Sequence, residues 1–191
     1  FAVLAGLFGI GPAFFKYALF GSLTIALVFI DLHDRKLPDA LTFPGMAAGL
    51  ALSLVVPVWD GTAAALGRLA GIVDAPLILL SLADALLGGA AGAGLLWLVG
   101  VAYKLLRHRE GLGFGDVKLM ALVGIFLGMK LALLSIFLGS LVGTIIGGSY
   151  MLVAGKDSRY ELPFGSFLGL TALFSALWGK EIVEWYLSFT F

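Results

Sequence analysis

Long apolar stretches separated by a few short polar islands constrain this chain more than any other feature. "AFFKYALFGSLTIALVFI" carries a single charge, Lys16, before it ends at Asp31, and several comparable stretches follow. A bilayer crossing takes roughly 20 such residues, so the chain is expected to fold inside a membrane. Composition agrees: 61% of residues are hydrophobic, 13% are charged and the mean hydropathy is +1.07. A soluble domain of the same size would be about one quarter charged.

The spacing of the islands predicts an all-α polytopic transmembrane bundle, with about six full spans plus a partial N-terminal helix, in a single domain over residues 1–191. The partial helix covers about 1–9 and breaks at Gly9, Gly11 and Pro12. Full spans are expected to end at Asp31, to cover about 40–57, and to start near Leu77. Residues 117–154 hold two shorter ones with a turn near Met129 and Lys130, and 164–178 holds the last. "VWDGTAAALGRLAGIVD" reads as a partly helical interfacial connection, and "KEIVEWYLSFTF" as an amphipathic or aromatic interfacial tail. Because the chain opens on Phe1 and "FAVLAGLFG" has no basic front end, it reads as the end of a helix begun earlier, with an N-terminal portion missing.

Short loops rich in Lys and Arg stay in the cytoplasm. Arg35, Lys36, Lys104, Arg107, Arg109, Lys118, Lys156 and Arg159 fall in one set of loops, and Lys16, Arg68, Lys130 and Lys180 in the other. That asymmetry places "DLHDRKLPD", "REGLGFGD" and "GKDSRYELP" together on the cytoplasmic side. With 12 basic and 12 acidic residues the formal charge is zero, and no nucleic-acid partner is indicated. Cysteine is absent, which removes disulfides and thiolate metal sites within these residues. His33 and His108 have no third ligand at metal spacing, so no metal is expected. Gly139, Gly143 and Gly147, and likewise Gly124 and Gly128, recur every fourth position and are read as close-packing faces.

Charged side chains at membrane depth are costly and are functional candidates by default. Asp31 directly follows "IALVFI" and Asp116 directly precedes "VKLMALVGIFLG", so each lies at the cytoplasmic end of an apolar helix. Paired carboxylates resist double ionisation and can share a proton near neutral pH, which suits amide hydrolysis. Gly113 and Gly115, lacking Cβ, would let an extended substrate backbone approach. Spacing alone leaves a second reading open, in which Asp116 is a helix cap and Asp31 a helix-end residue in water. Asp34 reads as solvated, Asp39 as the N-cap of the next helix, and Asp84 as a hydrogen-bonding group between helices on the outer side.

Three stretches then carry a resemblance. "IDLHDRKLPDALTFPG" is similar to the first signature of bacterial type IV prepilin peptidases, "GLGFGDVKLMALVGIFLG" to their Gly-x-Gly-Asp motif, and "ELPFGSFLGL" to a third stretch near the end of the peptidase domain. The resemblance implies an intramembrane aspartyl protease with Asp31 and Asp116 catalytic. It implies Gly113, Phe114 and Gly115 as a substrate-binding loop, supported by Pro38, Asp39, Lys118, Pro163, Phe164 and Gly165. It also implies a prepilin or pseudopilin substrate, cut at the cytoplasmic face of the bacterial inner membrane, and no cofactor for the peptidase. S-adenosylmethionine and zinc are expected only if a missing N-terminal portion carries the methyltransferase of bifunctional members, whose Cys-x-x-Cys insertion has no counterpart here. The rival readings are an ion- or proton-coupled transporter using Asp31 and Asp116 as relay carboxylates, and a non-catalytic membrane scaffold.

Overall fold

A computed structural model describes residues 1–58, 60–72, 74–108, 112–154 and 163–190. Eight helices are found among them and no strand: α1 (Ala2–Phe8), α2 (Pro12–Asp34), α3 (Asp39–Ser53), α4 (Thr62–Leu69), α5 (Leu77–Arg107), α6 (Phe114–Leu127), α7 (Met129–Ala154) and α8 (Phe164–Thr190). The all-α expectation holds, as do the break at Gly9 to Pro12 and the short helix in the 62–69 connection. Among the basic loop residues, Arg109, Lys156 and Arg159 lie outside the described residues.

Four helices, α2, α5, α7 and α8, are long and apolar enough to cross a membrane, and the protein is a multi-pass membrane protein. The count of six full spans is not reproduced. At 1.5 Å per residue the 15 residues of α3 and the 14 of α6 reach roughly 22 and 21 Å, short of a hydrocarbon core of roughly 30 Å. Groups following α3 are tied by hydrogen bonds to the far end of the bundle. Val58 N–H donates to Ser81 Oγ (3.0 Å), which itself donates to Ser53 O (2.7 Å). Asp60 Oδ2 accepts from Met129 N–H (2.9 Å), and Lys16 Nζ donates to Val56 O (2.9 Å). Irregular backbone at this depth is tolerated because protein groups satisfy it.

Helix directions follow from which residues meet. Gly88 faces Gly124 while Gly92 faces Met120, so α5 and α6 are antiparallel. Gly139 faces Leu168 and Gly179 faces Leu131, which makes α7 and α8 antiparallel, and Val28 against Gly169 does the same for α2 and α8. Gly45 against Leu122 and Gly49 against Phe126 show α3 and α6 parallel. The C-termini of α2 and α5 and the N-termini of α3, α6 and α8 therefore gather at one end.

α6 is the hub. Leu119, Met120, Leu122, Val123 and Phe126 are fully buried, as expected for a helix apolar all round and wrapped by others. A Cβ on Gly124 would sit 2.0 Å from Gly88 O, so the α5–α6 contact is backbone against backbone. Gly128 packs closely as expected with Gly124, its Cα lying 2.8 Å from a Cβ built on Gly88, and it has a second role. Its φ of 86° lies in the left-handed region that favours glycine, and it turns the chain between α6 and α7. α8 continues unbroken from the last expected span into "KEIVEWYLSFT", as far as Thr190.

Candidate active site

Asp31 lies on the last turn of α2 and Asp116 is the third residue of α6. Both are buried, at 5% and 8% exposure, so Asp31 is not a helix-end residue in water. They meet at the N-terminus of α8. A Cβ built on Gly165 would lie 2.7 Å from Asp116 Oδ1 and 3.0 Å from Asp31 Oδ2. The two carboxylate oxygens are thus no further apart than the sum of those distances, and glycine is the residue that leaves them room.

Each carboxylate is held differently. Asp31 Oδ2 accepts from Ser166 N–H and from Ser166 Oγ, both at 2.7 Å. Ser166 N–H is one of the first-turn donors that a helix cannot satisfy internally, and the helix dipole favours an anion there. Asp31 therefore serves α8 as a capping group supplied by another helix. Asp116 accepts from Gly113 N–H in its own first turn, a back-reach resembling half of a capping box. α6 is not among the four spanning helices, and its Asp116 has a pKa raised from the ordinary carboxylate value. Burial is the main cause and the charge of Asp31 the second, opposed by the Gly113 hydrogen bond. A neutral acid beside a carboxylate can activate water with one group and protonate a carbonyl oxygen with the other.

The remaining expected site residues divide. Gly113 is exposed and open, with Asp116 Oδ2 at 3.7 Å and Gly115 N at 4.0 Å the nearest atoms to its Cβ position. Gly115 is not open to a substrate backbone as expected. Its Cβ space is taken by Leu37, whose Cβ stands 3.1 Å away, so this glycine lets the first polar loop pack on α6. Phe114 is exposed and lies 5.1 Å from Lys118 Nζ, with Phe43 at 5.6 Å on the same ammonium. Lys118 pairs with Asp39, joining the N-termini of α3 and α6. Asp39 is not the N-cap of α3; Pro38, with extended backbone, takes that place, and Asp39 lies in the first turn. Pro163 precedes α8 and accepts from Ser166 N–H at 3.2 Å, while Phe164 packs towards Gly143 of α7 rather than towards the carboxylates.

Ser166 was not singled out from sequence, although its signal was present: a small polar residue in the first turn of an apolar helix, directly after Gly165. Asp34 is exposed as expected, 3.9 Å from His33 Nε2. Asp84 accepts from Gly61 N–H and Ala63 N–H, at 3.2 and 2.7 Å, at the start of α4. The larger hollow, about 290 Å³, lies beside Asp84 and Asp60 and does not touch the Asp31–Asp116 pair. A groove of about 230 Å³ between α5 and α6, lined by Trp97, Lys104, Leu112 and Phe114 among others, borders the glycine loop.

Residues 18–148 match the type IV leader peptidase family. The chain belongs to that family. Similar proteins named "Prepilin leader peptidase/N-methyltransferase" come from Aeromonas salmonicida, 37% identical over 86% of this chain and 49% of the relative, and from Xanthomonas campestris pv. campestris, 33% identical over 95% and 56%. A third, from Pseudomonas aeruginosa, is 34% identical over 86% of this chain and 50% of its own length. The chain thus spans about half the length of these relatives. No solved structure matches it. The family stretch takes in Asp31 and Asp116 but stops before Gly165 and Ser166, which complete the site in space.

Proposed function

We propose that this protein is a membrane aspartyl endopeptidase that removes the leader peptide of type IV prepilins or type II secretion pseudopilins at the cytoplasmic face of the bacterial inner membrane. The observation that carries the reading is the convergence of Asp31 and Asp116 on Gly165, from three helices whose ends share one side of the bundle. Both carboxylates lie at helix ends, which suits a substrate held at the membrane surface better than a relay at mid-span. Arg35, Lys36, Lys104, Arg107 and Lys118 lie towards the same end, whereas Lys16, Arg68, Lys130 and Lys180 lie towards the other, which supports a cytoplasmic site.

In this reading a water between the carboxylates attacks the scissile carbonyl. One carboxylate takes its proton while the other protonates the carbonyl oxygen. The exposed loop at Gly113 and Phe114 is where the extended leader would lie, and the groove beside it would receive apolar residues of the substrate helix. The relatives' names carry a second activity, N-methylation; the reading proposed here concerns leader removal. Incubating the purified protein in liposomes with a panel of prepilins and pseudopilins, and following leader removal by mass, tests it. Loss of the leader from at least one of them is expected, and an intact panel would contradict it.

A further inference from the structure

We infer that Ser166 is a positioning residue that divides the labour of the two aspartates, holding Asp31 as the carboxylate that accepts a proton from water and leaving Asp116 as the acid that protonates the scissile carbonyl. The inference rests on the aspartyl reading above and goes beyond it by assigning the roles. Two donors from one residue end on the same oxygen: Ser166 N–H and Ser166 Oγ are each 2.7 Å from Asp31 Oδ2. A backbone N–H can only donate, and 2.7 Å is short for N–H···O, within the range of bonds to a charged acceptor. The hydroxyl has one proton, and its alternative acceptor, Val28 O, is further away at 3.3 Å. Asp116 has one backbone donor and a buried setting, which favours its neutral form.

Among the described residues, α6 brings Asp116 to Asp31, and its Lys118 is engaged with Asp39 of α3. The first turn of α8 holds no acidic residue, α1 carries no charge, and Asp34 on the last turn of α2 is exposed beside His33. Ser166 and the positive end of α8 both favour the charged form of Asp31.

The reaction balances with these roles. Water oxygen bonds to the carbonyl carbon as its proton passes to Asp31 and the proton of Asp116 passes to the carbonyl oxygen, giving a neutral gem-diol. The C–N bond then breaks as Asp31 returns its proton to the leaving nitrogen. A hydroxyl of the gem-diol returns a proton to Asp116, and the carboxyl product leaves the pair as it began.

Ser166→Ala separates the two assignments. Removing a donor that bonds Asp31 more strongly when it is charged makes Asp31 easier to protonate. The acid limb of kcat/KM then moves up, by about one pH unit for a lost hydrogen bond to a charged group. The alkaline limb, where Asp116 loses its proton with Asp31 charged before and after, stays in place. Ser166→Cys, similar in size with a weaker donor, should move the acid limb part of the way. The measurement is the pH profile of prepilin cleavage by the wild type and both variants in detergent. A shift of the alkaline limb instead would place the proton on Asp31. A reduced rate with neither limb moved in Ala or Cys would make Ser166 merely structural; either result overturns the inference. A wild type that cleaves no prepilin would sink the peptidase reading itself, a failure distinct from both.

Discussion

At the residue scale, two glycines do different work from one another. Gly165 sits where a methyl group would press on both carboxylates, 2.7 Å from one and 3.0 Å from the other. Gly165→Ala should therefore abolish leader cleavage while the protein still inserts and melts near the wild-type temperature. Cleavage within a factor of about two of wild type would mean that the pair does not converge there. Gly115 instead makes room for Leu37. Gly115→Ala should lower activity by pushing the first polar loop off α6, and Leu37→Ala, which removes two of the three nearest atoms, should recover part of it in the double variant. An additive loss would return Gly115 to direct contact with substrate. Both aspartates stand out in the sequence because a carboxylate abutting an apolar run is rare enough to notice, but spacing alone left a capping reading open and the family resemblance carried their pairing. Sequence reading missed Ser166, and it misassigned the space above Gly115, because both depend on a partner far away in the chain: Asp31 for the first, Leu37 for the second.

At the element scale, the same need recurs at three helix starts. Asp31 serves α8, Asp84 serves α4 and Asp60 serves α7, each from a different part of the chain. With no side-chain cap of its own on α4, and no acidic residue in the first turn of α7 or α8, the bundle satisfies first-turn N–H groups across elements. α5 and α6 approach through Gly88, Gly92 and Gly124, where backbone atoms cannot yield. Gly124→Ala, which would bring Cβ to 2.0 Å from Gly88 O, should destabilise by about 1–3 kcal/mol, as overpacking does, and lower the melting temperature in detergent. Gly94→Ala, on the same α5 with nothing within 4 Å, should melt at or above wild type. Equal melting of the two would show that the helices do not touch at Gly124. The four-residue spacing made close packing at Gly124 legible. The same spacing marked Gly128 as a packing glycine but not as the turn after α6, because a positive φ leaves no mark in the spacing. Nor could it separate full spans from the short α3 and α6, since burial inside protein permits apolar helices of any length.

At the scale of the whole molecule, the site depends on one topology. The first polar loop, the glycine loop and the start of α8 must share a membrane face, and the Asp60–Asp84 region must lie towards the other. Single cysteines introduced at His33 and at Leu112 should be labelled from the cytoplasmic side, and one at Gly61 from the outside; these 191 residues supply no background thiol. Labelling of His33 and Leu112 from opposite sides would dismantle the shared site. The central claim is narrower: Asp31 and Asp116 act as one unit. Groups acting together are strongly non-additive, so Asp31→Asn and Asp116→Asn should each be inactive, and the double variant little worse than either. Asp34→Asn and Asp39→Asn, both at exposed positions, should keep most activity. The wild type should show a bell-shaped pH profile. Because burial and Asp31 raise the pKa of Asp116, its proton is kept above the ordinary carboxylate range and activity should persist to correspondingly higher pH before it falls. The most direct measurement is leader cleavage by purified Asp116→Asn beside wild type on the same prepilin. The account predicts no product above the uncatalysed background, and substantial cleavage by a preparation free of wild-type protein would contradict it.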